Sequence, residues 1–464
     1  MAYLVIIVGY SLGQIALGLW VARRLKGSSD FFVAGRSLGP GLLATTLLAA
    51  NIGGGSTIGA AARGYRDGLS AWWWVGSAAL GSVALALWVG PRIRQLAARH
   101  DLKTVGDFLE WRYDSRVRAT IALLLWAGTV AILSGQLLGM AAVLGTVIGL
   151  ERWVSCLIGA VVATTYFAAG GLKSSVIVNV VQLTVKLAGF AIALPLALGA
   201  AGGFAGLHGA IPDSGSWSLW RNGSSGWIYV AIVMPAFIVS PGLLQKVYGA
   251  KNDRAVRIGV GVNALVLLLF AAIPPVLGMI ARVKHPGLAS GDLALPTLFM
   301  HDLPFWVGAL GLAAIFSAEV SAADALLFML ATSFSQDVYK RFLHPGATDR
   351  QVVTAARLAS VAGAILAVGV ALSVAKDVVE ALAIFYTLLG VSLFVPVIAG
   401  LYLRRSTALD ALAAIAGGVV AVVAAQLWHD GAAIGGLTPA MWGLAAAAAA
   451  FLLVTAMFSR PQPV

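Results

Sequence analysis

Charge is scarce in this chain of 464 residues: Asp, Glu, Lys and Arg make up 11% of it, against roughly a quarter of a soluble domain. Cysteine is scarcer still. The single Cys156 excludes an intramolecular disulfide, and no Cys/His set stands at metal-ligand spacing. The histidines (His100, His208, His285, His301, His344 and His429) are scattered and fall outside the centres of the apolar runs. A membrane enzyme would cluster such groups at one face, so catalysis is not expected. No basic stretch precedes the first apolar run, and no small-residue cleavage signal follows it. Residues 2–22 therefore read as a retained span and not a signal peptide.

What fills the chain is apolar: 60% of residues are hydrophobic and the mean hydropathy is +0.91. An ordinary soluble globule and a disordered chain are both excluded. Lipid is the solvent for most of the sequence. The net charge of +12 then reads as basic loops on one side of a bilayer, not as a nucleic-acid surface.

Apolar runs predict thirteen helices near 2–22, 40–62, 71–90, 119–148, 152–171, 175–198, 226–244, 258–281, 304–334, 355–375, 379–402, 410–428 and 440–458. The runs are too long and too evenly apolar for barrel strands. The fold class is an all-α integral membrane protein. Basic residues gather after the odd-numbered spans: Arg23, Arg24, Lys26 and Arg36; Arg99 and its neighbours; Lys173; Lys246, Lys251 and Arg254; Lys340, Arg341 and Arg350; Arg404, Arg405 and Arg460. This places the N-terminus outside and the C-terminus in the cytoplasm of the cell's inner (plasma) membrane. On this reading Ser216 faces outward. Segment 91–118 reads as a solvated connector in preference to an interfacial helix.

Two spans carry breaks. In the second, Asn51, Gly53, Gly54, Gly55, Ser56 and Thr57 fall mid-span, and adjacent glycines disfavour a helix interior by about 1 kcal/mol each. In the seventh, Pro235 and Ser240-Pro241-Gly242 interrupt the run. Each broken span opens a set of five, and five being odd, the two sets insert with opposite topology. Breaks at matching places in inverted halves point to a transporter binding site. The expected organisation is 1–39, an N-terminal helix and loop; 40–198, the first five-helix repeat; 199–225, an outside loop; 226–405, the second repeat; and 406–464, two further helices and a tail.

The stretches DFFVAGRSLGPGLLATTLLAANIGGGSTIGAAARGYRDGLSAWWW, YFAAGGLKSSVIVNVVQ, LLQKVYGAKNDRAVR and SAADALLFMLATSFSQDVYKR occur in the order seen in the sodium:solute symporter family, which the chain resembles over residues 28–405. The resemblance implies a LeuT-type inverted repeat and uptake of a small organic solute coupled to sodium. It also implies a sodium site made of the carbonyls of Ala49, Ile52 and Ala318 and the hydroxyl of Ser321. The chain departs from the family at Ala322, usually Ser or Thr, and at Asn179, often Asp.

Span 6 adds a lysine. Asn179, Gln182 and Lys186 lie at i, i+3 and i+7 and share a helix face. Lys186 stands about 18 Å from the cytoplasmic end of its span, deep in a core of roughly 30 Å. Intramembrane ionisable residues are functional candidates. Glu319, about 22 Å from the end of span 9, reaches the same depth, and Asp324 lies closer to the cytoplasm. Two readings of the coupling ion follow. Either the carbonyls and Ser321 hold sodium and Lys186 pairs with Glu319, or Lys186 takes the ion's role and transport is proton-coupled or sodium-independent. Solute candidates are Asn51, Gly53, Gly54, Ser56, Thr57, Gln136 and Trp74, the deepest of the Trp72–Trp74 run. No Arg or His in a span centre announces a charged solute. A solute-sensing subunit with the same fold is the alternative function. No organic cofactor and no nucleic-acid partner are expected, and nothing in the pattern sets an oligomeric state.

Overall fold

A computed structural model describes residues 2–22, 36–220, 226–429 and 433–458. Arg23, Arg24, Lys26 and Arg460 from the charge pattern lie outside the described residues, as does the side chain of Lys173. Among the described residues all regular structure is helical, with two isolated bridges. Ten helices there are long and apolar enough to cross a membrane. The ten leave aside Ala2–Ala22, an apolar helix of 21 residues, and the first part of Arg152–Ala200, so the expected thirteen is not matched as a count. The expected spans 152–171 and 175–198 form one element, Arg152–Ala200. Its two ends lie on the same side of the bundle. Arg152 donates to the Ala371 and Ala375 carbonyls at 2.6 Å, while Gly189 packs against Leu310 and Ala314. The chain therefore turns back within this element and crosses twice.

Both expected breaks are present. The first broken helix runs Pro40–Asn51, pauses through a short turn at Gly54–Ser56 and resumes as Ile58–Asp67. Its proline sits in the first turn, where no N–H is lost from the ladder. None of the three glycines has a positive φ. Space explains them: a Cβ at Gly53 would lie 2.4 Å from the Ala322 Cβ, one at Gly54 2.3 Å from Glu319 Oε2, and one at Gly55 2.2 Å from a Leu382 methyl. The second broken helix runs Ile228–Val239 and Pro241–Tyr248, pivoting on Ser240 at φ −55° and ψ 121°. Pro235 is accommodated inside its first half.

A further break was not expected. The eighth span divides into Asp253–Phe270 and Ile273–Lys284, with Pro274 and Pro275 in the first turn of the latter. Glycines bring Ile273–Lys284 close against Ile58–Asp67 of the first broken helix. A Cβ at Gly278 would sit 2.0 Å from the Ala61 carbonyl oxygen, and one at Gly64 2.3 Å from that of Pro275. At the basic end of the bundle, Leu38 and Ala250 form a bridge that ties the ends of the two broken helices.

Segment 91–118 is ordered, contrary to the connector reading. The helix started at Trp72 continues to Arg99, and Val105–Arg112 forms a further helix capped by Thr104. Val105, Phe108 and Leu109 are buried, and its acids are matched by cations. Arg118 contacts Asp107 at 2.9 Å, Glu110 at 2.7 Å and Asp337 at 2.6 Å, and Arg341 also pairs with Glu110. Partial burial works against the Glu110 charge, but Arg341 and Arg118 outweigh it and hold that carboxyl below its usual range. On the opposite side, the loop after Ala200 holds a helix, Gly203–Ala210, and a turn, Ser214–Trp217. Ser216 is buried there against Gly68, whose φ of +74° and lack of a Cβ are both required.

Candidate functional site: an ammonium in the broken helix

The first break leaves carbonyl oxygens that no helical N–H can reach. The side chain of Lys186, fully buried, takes them. Its ammonium donates to the Ala49 carbonyl at 2.8 Å, to the Ile52 carbonyl at 2.9 Å and to Ser321 Oγ at 2.5 Å. An ammonium has three donors and no acceptor, so its hydrogen-bonding capacity is filled. Ser321 in turn donates toward the Ala49 carbonyl at 2.7 Å and the Ala318 carbonyl at 3.1 Å. The four residues expected around a sodium ion are therefore brought together, and a lysine from the facing helix sits among them. The helix end adds its dipole, which favours a cation at a C-terminus. Asn179 and Gln182 share the face of Lys186 as expected but bind elsewhere. Asn179 donates to Thr46 Oγ1 at 3.3 Å, and Gln182 to Gln14 Oε1 at 2.8 Å.

Glu319 is fully buried but makes no ion pair with Lys186 within 4.0 Å, because the lysine is spent on the break. Its carboxyl occupies a slot between two glycines. A Cβ at Gly139 would lie 2.5 Å from its Cδ, and one at Gly54 would meet Oε2. Thr57 reaches Oε1 at 3.5 Å, and Oε2 has no hydrogen-bond partner. Toward the outer side, buried Asp292 accepts from the Val378 N–H at 3.2 Å. Burial, with repulsion from Asp377, pushes that carboxyl up to about 7. Asp324 is buried one and a half turns from Glu319 and acts electrostatically on Lys246.

Between the broken helices lies a cavity of about 90 Å³, placed between helices as small-molecule sites are. Asn51, Gly53, Ser56, Trp74 and Gln136 line it, as expected. Gly54 and Thr57 do not; they face Glu319 instead. Several polar groups are already committed. Gln136 Oε1 accepts from the Gly54 N–H at 2.8 Å, Asn51 donates to Asn263 at 3.0 Å, and Ser56 Oγ closes the break onto the Asn51 and Gly53 carbonyls. Trp74 donates to the Gly55 carbonyl at 2.9 Å and packs on Tyr229 and Tyr386. Sequence reasoning missed Tyr386, Phe237 and Lys246. Lys246 was counted as a loop cation, yet it is 3% exposed and lines the cavity.

Two broken helices at matching places in oppositely inserted halves, with a cavity between them, define an alternating-access transporter of the LeuT type. The chain belongs to the sodium:solute symporter family, whose family model matches residues 31–418. It is 28% identical over 450 residues to the sodium/pantothenate symporter of Escherichia coli K12, covering 92% of this chain and 89% of that protein. It is 27% identical over 407 residues to the sodium/glucose cotransporter of Vibrio parahaemolyticus, covering 76% and 71%. A solved substrate-bound, outward-open sodium-coupled sialic acid symporter superposes with a TM-score of 0.82 at 17% identity, over 100% of this chain and 99% of that one. A nucleobase-cation-symport-1 family transporter in a closed conformation gives 0.59 at 15% identity, covering 91% and 92%. The chain is a multi-pass membrane transporter, a cation-coupled symporter of a small organic solute, and not an enzyme. Nothing in these relatives favours the solute-sensing alternative.

The glycine slot makes a specific demand. Gly54→Ala forces a methyl onto the Glu319 carboxyl and should destabilise the purified protein by about 1–3 kcal/mol of overpacking, read as a lower melting temperature. In a Glu319→Ala background the same change should be nearly neutral. A double-mutant cycle showing additive effects would remove the slot from the account.

Proposed function

We propose that this symporter couples solute uptake to protons, and that Lys186 supplies the charge that a sodium ion would otherwise bring. The observation that carries the reading is the Lys186 ammonium seated on Ala49, Ile52 and Ser321. A sodium ion sharing those carbonyls would lie within about 4 Å of the ammonium. At an effective dielectric constant of about 20 the repulsion is about 4 kcal/mol, on the order of a thousandfold in affinity. Ala322 offers no second hydroxyl to offset it. The residues present do not fit sodium while the lysine is seated.

A bound ion leaves its site in each transport cycle, whereas a tethered cation can give up its charge only as a proton. Glu319, two residues from Ser321 and with Oε2 unpartnered, is the buried acceptor nearest in sequence to this site. Asp324 serves as counter-charge to Lys246, and Asn179 holds the lysine-bearing helix against Thr46. Asn51, Gly53, Ser56, Trp74 and Gln136 face the solute. The basic end of the bundle lies in the cytoplasm, with the N-terminus outside.

Uptake into proteoliposomes tests the coupling. It should proceed in sodium-free buffer, respond to an imposed pH gradient and lose that response in Lys186→Met. Strict dependence on a sodium gradient, with Lys186→Met still active, would contradict the reading. Orientation has its own test in a Cys156→Ser background. Cysteines at the exposed positions Arg99, Arg254 and Arg350 should react with impermeant maleimide from the cytoplasmic side, and one at Ser214 from outside. Ser216, expected to face outward, is buried and would be closed to the reagent. Labelling of position 254 from outside would reverse the topology.

A further inference from the structure

Lys246 is a buried cation on the wall of the solute cavity. Its one protein hydrogen bond runs back to the Gly242 carbonyl at 3.3 Å. It makes no ion pair within 4.0 Å among the described residues; Asp324 acts on it only at longer range. With three donors on an ammonium, two remain for an occupant of the cavity. Among the described residues no Asp or Glu lines that cavity. A cation held at membrane depth without a contacting counter-charge is costly, and such groups mark substrate pathways.

A second feature points the same way. Pro241–Tyr248 begins at the second break, with Pro241 in its first turn and Ser240 and Gly242 on the cavity wall. Only the Leu243 and Leu244 N–H groups close back onto the Ser240 carbonyl, at 3.1 and 2.8 Å. A helix start presents N–H groups and the positive end of its dipole, which suits an anion. Lys246 bends back toward this same start through its bond to Gly242. The rest of the wall is apolar and aromatic, with Trp74, Phe237, Phe385, Tyr386, Leu326 and Met329. A bare inorganic anion would leave that surface unused.

We infer that the solute is an organic acid, its carboxylate held by Lys246 and the start of helix Pro241–Tyr248 and its apolar body packed among the aromatic residues. The inference rests on the transporter reading and names the substrate class of the same cavity. The first break thus holds a tethered cation on helix carbonyls, and the second receives an anion on the Lys246 ammonium and the Gly242 N–H at the helix start.

Equilibrium binding, free of any ion gradient, tests this apart from the coupling mechanism. Purified protein in sodium-free buffer is titrated with hexanoate and 3-phenylpropionate, with the matched amides, and with chloride and iodide. The acids should bind at least tenfold more tightly than their amides. Lys246→Gln should remove that preference, and Lys246→Arg should restore most of it. Because binding is read at equilibrium and coupling from uptake under an imposed pH gradient, unmodified protein that prefers the acids but ignores the gradient contradicts only the coupling reading, so the two readings fail separately. Equal binding of acid and amide to the unmodified protein overturns the inference without relying on any variant. So does the absence of binding by both acids, or binding of the inorganic anions alone.

Discussion

The structure turns on one contact, the Lys186 ammonium against the carbonyls exposed by the first break. A broken helix at membrane depth is tolerated only if its freed backbone groups are satisfied inside the protein. Here a side chain from the facing helix performs that task. The same contact brings together Ala49, Ile52 and Ser321, and through Ser321 the helix Phe305–Thr332 that also carries Glu319. Removing the lysine would leave buried carbonyls that need another cation or water.

Space and charge are arranged around that contact. Glycines at 53, 54, 55 and 139 let the Glu319 carboxyl, the Ala322 methyl and Leu382 approach the unwound backbone. The two breaks then present opposite ends of helix dipoles to the interior. The C-terminal end of Pro40–Asn51 meets an ammonium, while the N-terminal end of Pro241–Tyr248 opens onto the cavity beside Lys246. Lys186 and Lys246 therefore stand on different halves of the inverted repeat, and the helix Phe305–Thr332 of the second half reaches the first break through Ser321. Motion of one half against the other would change the surroundings of both.

Much of this was legible in the sequence, for identifiable reasons. Breaks announce themselves through Gly and Pro, and a periodicity of 3.6 put Asn179, Gln182 and Lys186 on one face. Partners across helices are not encoded in spacing. Pairing of Lys186 with Glu319 was a fair expectation from depth alone, but three nearby acceptors satisfied the ammonium first. The glycine triplet was read through helix propensity, whereas close packing is what requires it. Lys246 was misplaced because the apolar run ends near it, although the half-helix continues to Tyr248 and keeps the lysine buried. Segment 91–118 looked solvated by its charges, which in fact neutralise one another around Arg118.

The most direct measurement is sodium binding itself. Equilibrium binding of radiolabelled sodium would be compared between the unmodified protein and a Lys186→Ala, Ala322→Ser variant. If the ammonium holds the cation site, the unmodified protein binds no sodium at millimolar concentration and the double variant gains a site. Stoichiometric sodium binding by the unmodified protein, unchanged in the variant, would contradict the account.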